Sequence, residues 1–113
     1  MNGRLLIERD FSRGPGLGVR VIGVAGESGS AGDESDATVD WLYVGVSEFG
    51  EMPPQRVYRL GPVYDPKVIA LVVERGLPVL YINYGLPNRR QHARIVVTLD
   101  HLSVGSMTQH AAT

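Results

Sequence analysis

The chain has 113 residues, the length of one ordinary domain and too short for two. Apolar residues make up 43% of it, but the longest apolar run, 68–73, is far shorter than the roughly 20 residues of a membrane-spanning helix, so we expect a soluble protein. The net charge is only −1, and there is no cysteine, which excludes disulfides, thiolate nucleophiles and cysteine metal ligands.

The first half of the chain contains three predicted strands. Residues 5–8 form a short, mostly apolar stretch. In 19–24 apolar residues alternate with others, and 38–46 are rich in aromatic and β-branched residues. The stretch 12–18 is dense in turn-forming residues and predicts an irregular connection. Between the second and third strands, 25–37 is small, acidic and rich in Gly and Ser, so we expect a hairpin with a long acidic loop.

A short helix is predicted over 66–75. Asp65 is a suitable N-cap before Pro66, and Gly76 stands where a helix often ends. Four β-branched residues inside this stretch favour a strand instead, but the two end signals favour the helix. If Asp65 is an N-cap, replacing it with Ala would cost about 0.5–2 kcal/mol of stability.

Three more strands complete the predicted elements: 56–60 before the helix, and 78–84 and 94–99 after it. The last two are expected to pair around a basic loop at 88–92. We therefore predict an α+β, strand-dominated fold, a mostly antiparallel sheet or small barrel of about six strands with one short helix. Its boundaries are expected to be 1–104 for a single compact domain and 105–113 for a polar C-terminal tail.

Trp41 lies in the clearest predicted strand, between Asp40 and Leu42. We expect it to be buried in the core on a central strand. Its replacement by Ala would then cost roughly 3–5 kcal/mol, as for other large core residues.

Charge is segregated along the chain. Residues 21–55 contain seven acids and no Lys or Arg, whereas the rest carries all eleven basic residues and five acids. Such a division either creates an acidic and a basic surface or is neutralised when the segments interleave. We predict two separate partner-contact surfaces. The candidate contact residues are Asp33, Glu34 and Asp36 in the acidic segment and Arg89, Arg90 and Arg94 in the basic cluster.

No catalytic constellation is found, and we predict a non-enzyme without cofactor or metal. The glycine-rich stretch 14–18 leads into a predicted strand, whereas a phosphate-binding loop leads into a helix. The three histidines, His92, His101 and His110, have no metal-ligand spacing, and the acidic segment lacks the pattern of a calcium loop.

These features favour a structural or assembly subunit that acts by protein–protein contacts, as a homo-oligomer or in a larger assembly. A bacteriophage virion component, such as a capsid-decorating, minor capsid or connector protein, fits them. A small α+β enzyme or ligand-binding module with a pocket between sheet and helix is the alternative. A nucleic-acid-binding module using the basic cluster at 89–94 is the third, disfavoured because the chain is slightly acidic. The N-terminus has no signal-peptide pattern, so we expect cytoplasmic synthesis, and a location in the virion if the first hypothesis holds.

Overall fold

The computed structural model describes residues 3–26, 39–48 and 54–106. They form eight strands and no helix. The strands are β1 (Gly3–Phe11), β2 (Leu17–Ala25), β3 (Val39–Glu48), β4 (Arg56–Tyr64), β5 (Lys67–Glu74), β6 (Leu77–Leu86), β7 (Arg89–Val97) and β8 (Leu102–Ser106). Within these ranges, therefore, nothing forms a helix of the length and apolarity needed to span a membrane.

The strands form two antiparallel four-stranded sheets, each a simple meander. The first sheet has the order β1-β2-β3-β4 and the second the order β5-β6-β7-β8. The two sheets share one hydrophobic cluster between their inner faces, because alternate residues of each strand point to the same side. Its fully buried members are Val19, Val21, Leu42, Val44, Val46, Leu71, Leu80, Ile95 and Val97. The strand-dominated, antiparallel prediction is confirmed, but there are eight strands rather than six, and the sheets do not close into a barrel.

The predicted helix at 66–75 is wrong, because this stretch is strand β5 and the start of a hairpin. Arg75 and Gly76 have φ angles of 52° and 79°, as in a two-residue type I′ turn, so the glycine ends a strand rather than a helix. Asp65 has a φ of 42°, outside the extended region that an N-cap adopts. The β-branched residues thus decided the conformation, and the N-cap prediction for Asp65 falls with the helix.

Both predicted hairpins are confirmed, with longer strands than the sequence indicated. β2 pairs with β3, with Val21 opposite Val44, and β6 pairs with β7, with Leu80 opposite Ile95. The basic stretch 88–92 is not a loop, because β7 begins at Arg89. Its arginines therefore lie on a strand and alternate between the two faces of the second sheet.

Two β-bulges in the first sheet decide which of its side chains leave the core. In β1 the register shifts between Leu5 and Ile7, so that Leu6 packs inward over Gly23 while Leu5 lies on the outer face of the first sheet. In β4 two residues, Gly61 and Pro62, occupy the place opposite Trp41 on β3. A proline is tolerated there because β4 is an edge strand.

Candidate interaction surfaces

The outer face of the first sheet, turned away from the core, is apolar and aromatic. Cross-strand register places Leu5, Ile22 and Tyr43 in one row, and Val24 beside Trp41 in the next. The residues at its two edges are well exposed, Leu5 at 53% and Val57 at 56%. We call this surface the aromatic face; it consists of Leu5, Ile22, Val24, Trp41, Tyr43 and Val57.

Trp41 belongs to the aromatic face, which contradicts the prediction of a core tryptophan. The indole is on a central strand, as expected, but it is only partly buried and lies outside the hydrophobic cluster. The Arg59 guanidinium sits over the ring, 4.4 Å from its centroid, in a cation–π contact. Gly61 lies beside the indole, since a Cβ there would be in ordinary van der Waals contact with it at 3.7 Å. The large destabilisation expected for a core Trp41→Ala therefore no longer applies.

Opposite charges lie at the two edges of the aromatic face. On β1, Glu8 accepts hydrogen bonds from Arg20, with Nη2 2.5 Å from the carboxylate oxygen, and Asp10 is exposed further along the strand. On β4 the outward-pointing charge is Arg59. Beside the aromatic face, the outer face of the first sheet therefore carries the Glu8–Arg20 ion pair, Asp10 and Arg59.

The outer face of the second sheet carries apolar residues such as Val72 beside charged side chains that are paired within the chain. The Arg94 guanidinium donates to one Glu74 oxygen at 2.7 Å and 3.2 Å, and the Tyr81 hydroxyl donates to the other. These donors stabilise the ionised carboxylate, so the Tyr81 hydrogen bond first, and Arg94 second, lower the pKa of Glu74. The same contacts raise the pKa of Arg94.

We expect Glu74 to titrate below the ordinary range of a glutamate. NMR titration of its side-chain carboxyl should show the midpoint rising in Tyr81→Phe and in Arg94→Gln, more in the former. Because the pKa is lowered in the folded state, the stabilisation by Glu74 is complete above its unfolded pKa and is lost as pH falls through the folded one. An unchanged midpoint in both variants would show that this network does not form.

Arg90 is held on the same outer face by several acceptors. It donates to the Gly85 carbonyl at 2.6 Å, to the Asp65 carbonyl at 3.0 Å and to the Asn83 side chain. Its Nη1 also lies 3.4 Å from the Asp65 carboxylate. Asp65 thus has a defined role as an acceptor at the connection between the two sheets, in place of the predicted cap.

The three predicted basic contact residues do not form one patch. Arg90 and Arg94 share the outer face of the second sheet, whereas Arg89 alternates to the other side. There Arg89 lines a depression of about 270 Å³ together with Tyr64, Tyr84 and Leu86. The acidic candidates Asp33, Glu34 and Asp36 lie outside the described residues. The predicted separation of acidic and basic surfaces therefore stays a prediction.

A larger groove of about 690 Å³ opens where the first sheet meets the start of β5. Its charged lining consists of Arg4, Asp40, Asp65 and Lys67, with Lys67 Nζ 3.9 Å from the Asp65 carboxylate. Because two cations and two carboxylates line the groove, it favours neither an anionic nor a cationic ligand. The ligand-binding alternative placed its pocket between sheet and helix, and that pocket does not form because 67–74 is a strand. Across the described ranges, no cluster of three or more His, Asp or Glu is placed to hold a metal ion.

Sequence reasoning missed the aromatic face, although a signal for it was present. Strand β3 carries Trp41 and Tyr43 on one side and Leu42 and Val44 on the other. A strand with apolar residues on both sides is typical of a sheet that is covered on both faces. The apolar residues of β3 therefore indicated a second packing surface as well as a core.

Comparisons of the chain with protein-family models, with curated proteins and with solved structures find no match.

Proposed function

We propose that the protein is a non-enzymatic structural or assembly subunit that acts by protein–protein contacts made through the aromatic face. The observation that carries this proposal is the exposure of Leu5 and Val57 at the edges of a sheet face that carries apolar residues on all four strands. A contiguous exposed apolar surface of this kind marks an interaction site more often than a solvated face.

The composition of the aromatic face supports a protein partner. Trp, Tyr and Arg are the residue types most enriched among interface residues that contribute most to binding, and Trp41, Tyr43 and Arg59 lie next to one another here. Most antiparallel sheets expose a polar outer face, whereas this sheet has a row of apolar and aromatic residues on its outer side as well as its inner side. A second layer of protein on the aromatic face would bury it.

The charged residues of the second sheet also favour a protein partner over a nucleic acid. Arg90 is held by Asp65, and Arg94 is held by Glu74. Guanidinium groups that are neutralised within the chain offer less charge to a phosphate backbone, which supports protein contacts over the nucleic-acid alternative.

A bacteriophage virion is the setting we propose for such a subunit, as a capsid-decorating, minor capsid or connector protein. This finer assignment rests on the sequence features alone: a small cysteine-free domain, segregated charge and long polar segments at 25–37 and 105–113. The contact proposed for the aromatic face does not depend on it.

Val57→Glu should release the chain from its assembly. Tagged wild-type and variant chains are expressed in the cells in which the gene is naturally expressed. The cell extracts are then separated by gradient sedimentation. We expect the wild type to sediment in stoichiometric amounts with particles far larger than 12.3 kDa, and Val57→Glu to remain near the top of the gradient. A buried glutamate without a partner would oppose the contact.

Val104→Glu is the matched control, because Val104 is the same residue type, equally exposed at 59% and also on an edge strand, but of the second sheet. It should sediment like the wild type. A wild-type chain that sediments alone would refute the proposed function. If both variants lose association with the particles equally, the aromatic face is not the contact surface.

A further inference from the structure

We propose that Arg9 closes the open edge of strand β5 and so prevents a second copy of the chain from adding a strand to the second sheet. β5 is an edge strand that pairs with β6 on one side only. Because the protected edge lies in the second sheet, the proposal does not depend on the aromatic face.

The hairpin register shows which backbone groups of β5 face its open edge. The two-residue turn after Glu74 makes Glu74 and Leu77 a hydrogen-bonded pair, and such pairs alternate with non-hydrogen-bonded pairs along an antiparallel ladder. Val73 therefore belongs to a non-hydrogen-bonded pair, which agrees with its partner Pro78, because proline has no N–H to donate. Leu71, two residues earlier, has the same orientation. The N–H and C=O groups of Leu71 and Val73 thus point away from β6, towards the open edge.

Arg9 reaches this edge from the first sheet. On β1 it lies opposite the core residue Val19, so its side chain is on the inner side of that sheet. Its Nη1 donates to the Leu71 carbonyl oxygen at 3.3 Å, and its Cζ lies 5.6 Å from the centroid of the Phe11 ring. The arginine side chain therefore occupies a backbone acceptor that an added strand would need.

The composition of β5 makes this protection necessary. Residues 68–73 are all apolar, and an exposed apolar edge strand is a site of strand addition and aggregation. Three of these side chains are 36–54% exposed: Ile69, Val72 and Val73. The β-bulge near the start of β5 leaves 70–74 in regular register with β6, so the bulge does not protect this part of the edge.

The other three edge strands have protection of their own. β1 and β4 contain charged residues, β4 also contains Pro62, and β8 has only five residues. Charge, proline and shortness each oppose the addition of a strand at an edge. β5 carries charges only at its two ends, Lys67 and Glu74, so Arg9 supplies the protection that the middle of the strand lacks.

Arg9→Met tests the proposal in the full-length chain, because methionine keeps an unbranched apolar side chain but has no N–H donor and no charge. In sedimentation velocity, the weight-average mass of Arg9→Met should rise with concentration to about twofold or more above the wild-type value, because the edge of β5 is open. Arg9→Lys should have the wild-type mass, since it keeps a donor and a positive charge at the edge. An Arg9→Met variant with the wild-type mass at every concentration would refute the proposal.

Tyr58→Phe is the matched control. The Tyr58 hydroxyl donates to the Thr98 carbonyl oxygen at 2.8 Å, so it too joins the two sheets by a hydrogen bond from a side chain to the backbone. Its acceptor lies in the connection between β7 and β8 and not on the edge of β5. Tyr58→Phe should therefore keep the wild-type mass. Equal association of Tyr58→Phe and Arg9→Met would show that loosened sheets, and not an open edge, cause it.

Amide hydrogen exchange followed by NMR locates the edge and the contact. In the wild type, the Val73 amide should exchange faster than the Val72 amide, which is directed to β6. Equal protection of these two amides would refute the orientation of the edge, and this measurement needs no variant. In the associated Arg9→Met chain, the Val73 amide should become protected. Association that leaves the Val73 amide unprotected would mean that another surface makes the contact.

Discussion

Leu42→Ala should destabilise the protein by about 2–5 kcal/mol, the range for deleting a buried leucine side chain in a packed core. Leu42 is fully buried on a central strand, facing the hydrophobic cluster shared by both sheets. Its register partners are Gly23 on β2 and Leu60 on β4. Urea denaturation followed by circular dichroism measures the change.

Leu5→Ala is the control, because it makes the same substitution on the opposite face of the same sheet. Leu5 is 53% exposed, so the variant should lose no more than about 0.5 kcal/mol of stability. It should weaken association through the aromatic face instead. Equal destabilisation by the two substitutions would mean that the inner and outer faces of the first sheet have been assigned wrongly.

Gly85→Ala should destabilise the protein by about 2–3 kcal/mol because of its backbone conformation. The φ of Gly85 is 115°, which L-residues rarely adopt, and a Cβ there would lie 2.6 Å from the Arg89 carbonyl oxygen. The backbone must shift to relieve that overlap. The shift would also disturb the Gly85 carbonyl, which accepts a 2.6 Å hydrogen bond from Arg90.

Gly76→Ala isolates the conformational part of this effect. Gly76 has a φ of 79° in the β5–β6 turn, and an added Cβ would meet nothing within 4 Å. Its cost should be about 1 kcal/mol, the ordinary penalty of the left-handed region. Thermal melting of both variants provides the comparison. A Gly85→Ala variant no less stable than Gly76→Ala would show that the β6–β7 hairpin relaxes without loss.

Local composition was sufficient to predict most strands. The runs of β-branched and aromatic residues predicted at 19–24, 38–46 and 94–99 fall largely on β2, β3 and β7, because such side chains pack well on a pleated sheet. Residues 67–74 show the same preference for strand, but the sequence prediction gave more weight to the apparent helix-start and helix-stop signals at their ends. An Asp-Pro pair and a following glycine begin and end helices, but they also form the connections between strands.

The candidate contact residues show a similar division. The sequence singled out Arg89, Arg90 and Arg94 as one basic cluster, but neighbours on a strand point to opposite faces, and Asp65 and Glu74 come from elsewhere in the chain to bind two of them. An ion pair between residues 20 or 25 positions apart depends on strand pairing, which composition does not reveal.

The sequence by itself determined that this protein is strand-rich, free of cysteine and built of one domain-sized chain, because these properties depend on residue type and local periodicity. Only the tertiary structure decided which apolar residues form the core and which form the aromatic face. A period of two assigns alternate residues to two sides of a strand without saying which side is covered, and the bulge beside Leu5 reverses the assignment within β1. Trp41 faces outward because the second sheet packs against the Leu42 side of β3, a choice made by contacts between residues far apart in the chain.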